Sequence, residues 1–529
     1  MTGAVGDFAS AAERTYLFDQ RRVDTTYEQM LFSAFLTGDL FELPAGPVSA
    51  VFGGEWRKDK ISTDPNFQAS NGLFFGFFSD QGAQGSKVLR ELYGEVSIPL
   101  IAAKPLVEEL NVDIAGRLTD EEFYGTNYTY SLKAGWRPVS ALLLRVTYGT
   151  SFRAPNLREN FLAGLSGFNT LFDPCAVPDA AFDSAAGGYS AQDDQRDPTI
   201  LENCLREGRD PTQVGIDPEG LNTQQFSSTE ITSGGTLDID PETSRSITAG
   251  FSFEETFGDG WDVALGVTYF DIKLKDSIVE PSGQFIVNDC FTRDDGQRSQ
   301  FCDRISVDTA PTGRGLVSNV AAAFLNLDQE SVRGIDFNAD FGKDVMLFGE
   351  NVDLGLNIRA NNLLERSSLF TNDDGTVTFD DDAGEFGLPK WTGRATFTAD
   401  VSDFRLTYQL RYTGKVEQDS DGIDEFDDAF GSLGTGFFSD TCTGNGTANV
   451  PGDGRFCRDV GFAKEQFLHT ASIRYSADKW SLLVGVDNIF DTAPPLVDSD
   501  EVLAINNVAI GNGYDYDGRE IFASFSYQF

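Results

Sequence analysis

Apolar and polar residues take turns along most of this chain, and a period of two belongs to strands, whose successive side chains point to opposite faces. Phe404, Leu406, Tyr408, Leu410 and Tyr412 alternate with Arg405, Thr407, Gln409, Arg411 and Thr413. Ile247, Ala249, Phe251 and Phe253 alternate with Ser246, Thr248, Gly250, Ser252 and Glu254, while Leu142, Leu144, Val146 and Tyr148 alternate with Leu143, Arg145, Thr147 and Gly149. The last residues keep the rhythm: Ile521, Ala523, Phe525, Tyr527 and Phe529 share one face, Ser524, Ser526 and Gln528 the other. Ribbons greasy on one side and wet on the other suit strands that cross a membrane around an aqueous bore, since hydrocarbon offers no partner to an unpaired backbone group. A soluble β-sandwich or jelly roll alternates too, but here the apolar faces are aromatic and the connections long. The predicted fold is all-β: a transmembrane, antiparallel, up-and-down β-barrel.

Turns and loops together divide the chain into about fifteen strands. Short connections fall at residues 42–46, 100–105, 137–140, 257–260, 402–403 and 477–479, and long ones at 59–86, 154–243, 280–330, 363–389, 414–461 and 491–518. The two kinds alternate almost without exception, as periplasmic turns and extracellular loops do in outer-membrane barrels. The last strand then runs toward the periplasm, and so does the first, Tyr27 to Leu40. Residues 1–26 are expected to be an extracellular loop or disordered leader, and residues 27–529 the barrel region. An odd count leaves two unpaired edges, whereas complete bacterial single-chain barrels have even counts, so the sequence reads as the carboxyl-terminal part of a longer barrel. Residues 1–10 do not read as a secretory signal.

Charge narrows the partners. With 83 acidic against 40 basic residues the net charge is −43, which excludes nucleic acid as a main partner, because that role needs a basic footprint. The acid concentrates in candidate loops, at Asp193-Asp194, Asp380-Asp381-Asp382 and Asp419 through Asp428, where it keeps a surface solvated. Calcium is the competing reading; Asp419-Ser420-Asp421-Gly422 starts like a calcium loop, but the later spacing fails the pattern. Six cysteines fall into three sequence-local pairs inside long loops, Cys175 with Cys204, Cys290 with Cys302 and Cys442 with Cys457. Nearest-neighbour bridges are the simplest of the 15 connectivities and imply an oxidising compartment; thiol metal sites are disfavoured by spacing. The single histidine, His469, sits in a strand, so no catalytic triad or histidine metal centre can be assembled and no enzyme is expected.

Several segments together resemble the TonB-dependent outer-membrane receptors. Tyr148-Gly149-Thr150-Ser151-Phe152-Arg153-Ala154-Pro155-Asn156-Leu157-Arg158-Glu159 is the most specific; Glu91-Leu92-Tyr93-Gly94-Glu95, Pro241-Glu242-Thr243-Ser244 and Val332-Arg333-Gly334-Ile335-Asp336 are similar to other recurring pieces. The order Asp487-Asn488-Ile489-Phe490-Asp491, then Tyr514 to Glu520, then a terminal aromatic, is similar to the family's ending. The resemblance implies a barrel of about 22 strands, a globular plug and a TonB-contacting box, of which residues 1–529 carry about fifteen strands and neither of the others. It also implies uptake of a ferric siderophore, cobalamin or an oligosaccharide across the bacterial outer membrane, energised through the TonB complex. Phe529 would serve the barrel-assembly machinery as an assembly signal. The competing function is a passive pore or adhesin on a smaller barrel. Candidate ligand contacts are Arg333, Arg405, Arg411 and Arg474 on strands, with pairing to lumenal acids as the alternative, and the loop aromatics Phe168, Phe172, Phe437 and Phe438.

Overall fold

The computed structural model describes residues 10–75, 78–183, 188–258, 260–293, 296–310, 314–347, 349–371, 377–417, 443–444, 455–456, 462–495, 504–505, 508–511 and 513–528. Fifteen strands follow one another in chain order across a single antiparallel sheet: β1 (Val23–Leu43), β2 (Gly46–Pro65), β3 (Ala83–Lys104), β4 (Val107–Glu121), β5 (Gly125–Val139), β6 (Leu142–Arg153), β7 (Glu242–Phe257), β8 (Trp261–Val279), β9 (Leu325–Leu347), β10 (Glu350–Thr371), β11 (Trp391–Val401), β12 (Phe404–Thr413), β13 (Gln466–Ser476), β14 (Trp480–Asp487) and β15 (Glu520–Tyr527). A sixteenth, Val377–Asp381, pairs with the outer end of β10. Among the described residues no helix is long and apolar enough to cross a membrane.

The register places the expected faces. Arg405 pairs with Asp400 and Arg474, Thr407 with Thr398 and Ser472, and Leu406 with Ala399 and Ile473. Side chains directly opposite share a face, so the polar positions of each strand join into one polar surface and the apolar positions into another. The apolar surface is bare: Ile521 keeps 79% of its exposure and Phe525 64%, as side chains meant for lipid should.

Connections at one rim are short, from Leu43 to Gly46, Lys104 to Val107, Val139 to Leu142, Phe257 to Trp261, Leu347 to Glu350, Val401 to Phe404 and Ser476 to Trp480. All long connections leave from the opposite rim, which also carries one tight turn that the sequence did not signal, Glu121 to Gly125. There the Glu121 carboxylate accepts the backbone N–H groups of Phe123 and Tyr124 at 2.8 and 3.0 Å, and Gly125 takes φ +69°, a conformation open to glycine.

Several strands outrun their expected ends: β2 continues to Pro65, β3 begins at Ala83, β9 at Leu325, and β10 reaches Thr371. Above the lipid both faces of a paired ribbon are wet, so Asp59, Lys60, Ser62 and Asp64 sit in a ladder with β1, the first three also with β3, although their composition reads as loop. The boundary near residue 26 moves for the same reason. β1 starts at Val23, and Ala11–Leu17 is a helix closed by a capping box between Ser10 and Glu13 rather than a loop.

β1 and β15 both run toward the short-turn rim, and no pairing joins them among the described residues. The largest dry core lies outside the sheet, in the long loops.

Candidate functional site

Chemistry gathers at the long-loop rim. β6 ends at Arg153 because Ala154 precedes Pro155, which cannot donate to a ladder and biases its predecessor away from helix. Asn156 then caps the helix Leu157–Phe161: its side chain accepts from the N–H groups of Arg158 and Glu159 at 2.8 and 2.9 Å, and the Glu159 carboxylate returns to the Asn156 N–H at 2.6 Å. The Arg153 guanidinium donates to both Glu159 oxygens, at 3.0 and 2.9 Å, and to Glu242 at the start of β7. Glu242 in turn accepts the Ile278 N–H of β8 at 2.9 Å, the Pro155 carbonyl accepts the Lys87 ammonium of β3 at 2.5 Å, and the Ser151 and Ser244 hydroxyls lie 2.5 Å apart. The segment Ser151 to Asn156 is therefore a clamp that fixes four strands at the rim; Phe152, half-buried, faces Thr243 across the ladder.

The loops at 154–241 and 280–324 fold into one cap. Its sheet has the order Ile305–Val307, Val317–Ala323, Phe226–Gly234, Leu165–Phe172, with the middle two strands parallel. Ile286, Val287, Phe291, Phe301 and Val320 fill the core with two disulfides, Cys175–Cys204 and Cys290–Cys302. Cys442 and Cys457 lie outside the described residues. Ion pairs are buried there as well. Asp173 meets Arg209 at 2.5 Å, and Asp194 meets Arg196 at 2.8 Å, with Arg196 also donating to the carbonyls of Cys175, Ala176 and Pro211.

The Arg196 guanidinium holds the Asp194 carboxyl down to about 2. Because the folded value is depressed, its stabilisation is complete above the ordinary carboxyl range near 4 and disappears as pH falls to about 2. Hydrogen exchange over residues 188–215 should thus accelerate in that window in the wild type, whereas Asp194→Asn should exchange faster at neutral pH and lose the acid transition; identical pH profiles would refute the assignment.

The loop aromatics are placed unequally. Phe168, on the edge strand of the cap, is 46% exposed and lies 4.8 Å from Phe78, ring centre to ring centre; Phe172 is half-buried and packs at 5.3 Å on Phe226. Phe437 and Phe438 fall outside the described residues, as do Asp419 to Asp428 and Phe529. Asp380, Asp382 and Glu385 hold oxygen atoms within 4.8 Å of one another, and burial together with Asp380 raises the Asp382 carboxyl.

Of the four candidate strand arginines, Arg333 departs from its expected place. It shares the face of Ile335 and Phe337, because Asp336 is the position that joins the polar surface through Thr268 and Asn361, and it pairs with Glu365 at 2.8 Å. Arg405 is on the polar face and bound to Asp400 at 2.6 Å, with Arg474 directly across from it. Arg411 opens a row that sequence reasoning missed: it stands opposite Arg394, which stands opposite Arg359. Pairing partners across loops and bulges are what locate such a row, and sequence spacing carries no trace of it. His469 accepts or donates one hydrogen bond with the Tyr408 hydroxyl at 2.6 Å and meets the Phe490 ring edge-on, a packing role.

Residues 3–489 match the family described as TonB-dependent receptor-like, β-barrel. No curated protein matches the chain. Among solved structures, the siderophore receptor PirA from Acinetobacter baumannii is similar with a TM-score of 0.52 at 16% identity, over 96% of this chain and 55% of that one. A mutant ferric enterobactin receptor, PfeA from Pseudomonas aeruginosa, in complex with enterobactin, is similar with a TM-score of 0.53 at 14% identity, over 96% and 55%. The chain thus spans about half the length of the receptors it matches, and at these identities they speak to the fold alone.

Proposed function

Because this chain belongs to the TonB-dependent receptor-like β-barrel family, we propose that it is the carboxyl-terminal part of an outer-membrane receptor that takes up a large, scarce nutrient. The observation that carries the reading is the family match over residues 3–489 on a sheet whose long connections all leave from one rim. Proteins of this family are transporters, not enzymes. A disulfide-tied cap over the outer rim suits capture from outside the cell, and a ferric siderophore, cobalamin or an oligosaccharide is the nutrient class.

Edge geometry supports the further reading that more strands belong to this barrel. β1 and β15 run in the same direction, and antiparallel closure between two such edges takes an odd number of additional strands. A family barrel of about 22 would supply about seven, and its plug would occlude the bore and reach the TonB complex. The open edge of β15 is the surface that barrel-assembly machinery would engage by strand addition, with Phe529 as its signal.

The test uses cells that make the whole reading frame as their only such receptor, supplied in turn with labelled ferric siderophore, cobalamin and maltodextrin. Saturable entry of one of them, abolished when TonB is deleted, is expected. Entry that rises linearly and ignores TonB would replace the receptor by a passive pore, and surface binding without entry would replace it by an adhesin.

A further inference from the structure

Three cations stand together on the apolar face, near the long-loop rim. Arg245 of β7 lies directly opposite Lys273 of β8, and Lys275 follows on the same face, opposite Thr243. They continue the rows of Ile247, Ala249 and Phe251 and of Tyr269, Val267 and Leu265, so they share the bare surface of the sheet and not its polar one. Tyr148, directly opposite Ile247, and Tyr269 lie just below them, as an aromatic girdle lies at a membrane interface. The cations therefore sit at the height of lipid headgroups, with Thr150 and Ser331 flanking the opposed pair. Arg245 and Lys275 are exposed, and Lys273 is half-buried.

Acid stands near but does not close on them. Asp271 lies opposite Arg333, whose guanidinium pairs with Glu365 at 2.8 Å. Asp276, with Asp240 and Asp328 in electrostatic reach of it, lies beyond Lys275 toward the loops. Among the described residues Arg245, Lys273 and Lys275 make no ion pair, in a chain whose 83 acids outnumber its 40 bases. By contrast, Arg90 and Lys60, on the same face at the same rim, pair with Asp120 at 3.0 Å and Glu28 at 3.4 Å. Like charges directly opposite one another destabilise a sheet, so the Arg245–Lys273 pair is a place where an outside anion would be stabilising.

We propose that Arg245, Lys273 and Lys275 bind the phosphorylated sugar headgroup of a glycolipid in the outer leaflet, whose acyl chains lie along Tyr148, Ile247 and Tyr269. Opposed side chains stand about 5 Å apart and alternate ones along a strand about 7 Å, so one phosphate bridges Arg245 and Lys273 while Lys275 reaches a second. The guanidinium fork matches phosphate oxygens, and basic clusters at a membrane surface recognise lipid phosphates. The proposal rests on the placement of the chain in the outer membrane with its long loops outside, and is independent of what the receptor takes up.

The test is native mass spectrometry of the whole protein, extracted from outer membranes, freed of lipid in detergent and titrated with diphosphoryl lipid A. Saturable binding is expected. Affinity should fall roughly tenfold in Arg245→Gln and again in the double variant with Lys273→Gln, because each charged hydrogen bond lost is worth about that factor. Arg245→Lys should fall between, and Arg90→Gln, whose cation is already engaged by Asp120, is the unaffected control. Two readouts separate binding from folding. Monophosphoryl lipid A should bind the wild type more weakly than the diphosphoryl form, with phosphatidylglycerol weaker still, and the lipid-free double variant should melt no lower than the wild type, since it removes like charges in direct opposition. Equal affinity of wild type and double variant, equal binding of the two lipid A forms, phosphatidylglycerol binding as tight as diphosphoryl lipid A, or a lower melting temperature of the lipid-free double variant would overturn the site.

Discussion

Asp173→Ala is expected to unfold the cap while the barrel stays folded. Asp173 is 1% exposed, and its two oxygens accept four hydrogen bonds: Oδ1 from Arg209 at 2.9 Å and the Cys175 N–H at 3.1 Å, Oδ2 from Arg209 at 2.5 Å and the Val317 N–H at 3.1 Å. Removing it leaves the buried Arg209 with the Gly315 carbonyl and the face of Phe291 as company. Stranding one partner of a buried pair costs about 3–5 kcal/mol, and the two orphaned N–H groups add about 1–3 kcal/mol each. A small folded unit has about 5–15 kcal/mol to lose.

The disulfides cannot rescue it. Cys175–Cys204 closes within the first loop and Cys290–Cys302 within the second, so neither holds one loop to the other. That task falls to Val317 and Gly315 on Asp173 and Arg209, to the Asn203 amide on the carbonyls of Phe291 and Arg293, and to the parallel strand pair. Hydrogen exchange by mass spectrometry should therefore show lost protection over Phe226–Gly234 and Val317–Ala323 with both bridges intact and the barrel strands unchanged. Asp173→Asn, which keeps one acceptor oxygen, should fall between. Full protection in the alanine variant would mean that the apolar core alone joins the loops.

The barrel was legible in the sequence and the cap was not, and the difference is physical. Strand alternation is written residue by residue, as in Phe404 to Thr413, and lipid on one side enforces it along the whole crossing. Most short-rim turns followed from the same pattern, though the Glu121–Gly125 turn did not, and the pairs Cys175–Cys204 and Cys290–Cys302 followed from proximity in the chain. Nothing local, however, announces that Phe226–Gly234 lies beside Val317–Ala323, nearly a hundred positions away, nor that Asp173 finds Val317. Those contacts lie between loops whose composition reads only as acidic and polar. The arginine row illustrates the same limit within the barrel: Arg411 stood out by residue type, but Arg394 and Arg359 join it through register alone, and the parity that moved Arg333 off the polar face is set by where β9 meets β8.

Arg153→Leu should loosen the rim where four strands meet. Arg153 is the cation between Glu159 and Glu242, whose carboxylates are both about nine-tenths buried, and it donates to each. Leucine keeps the bulk of the stem but leaves two near-buried carboxylates with no positive charge between them. The full cost of breaking a buried pair does not apply, because the Arg153 side chain keeps 42% of its exposure and water can partly take its place; about 2 kcal/mol is the expected loss. It should be felt first in the helix Leu157–Phe161, since Glu159 serves both the arginine and the capping box with Asn156, and then at the Ile278 N–H, which shares Glu242. Arg153→Lys should recover only part, because one ammonium cannot repeat a fork that meets two carboxylates. The signature is pH-dependent exchange over residues 154–162: in the leucine variant acidification should restore protection, since protonating either carboxylate relieves the repulsion, whereas in the wild type acid can only weaken the clamp. The opposite slope, or no change at neutral pH, would show that the helix is held by packing and that Arg153 is a bystander at the rim.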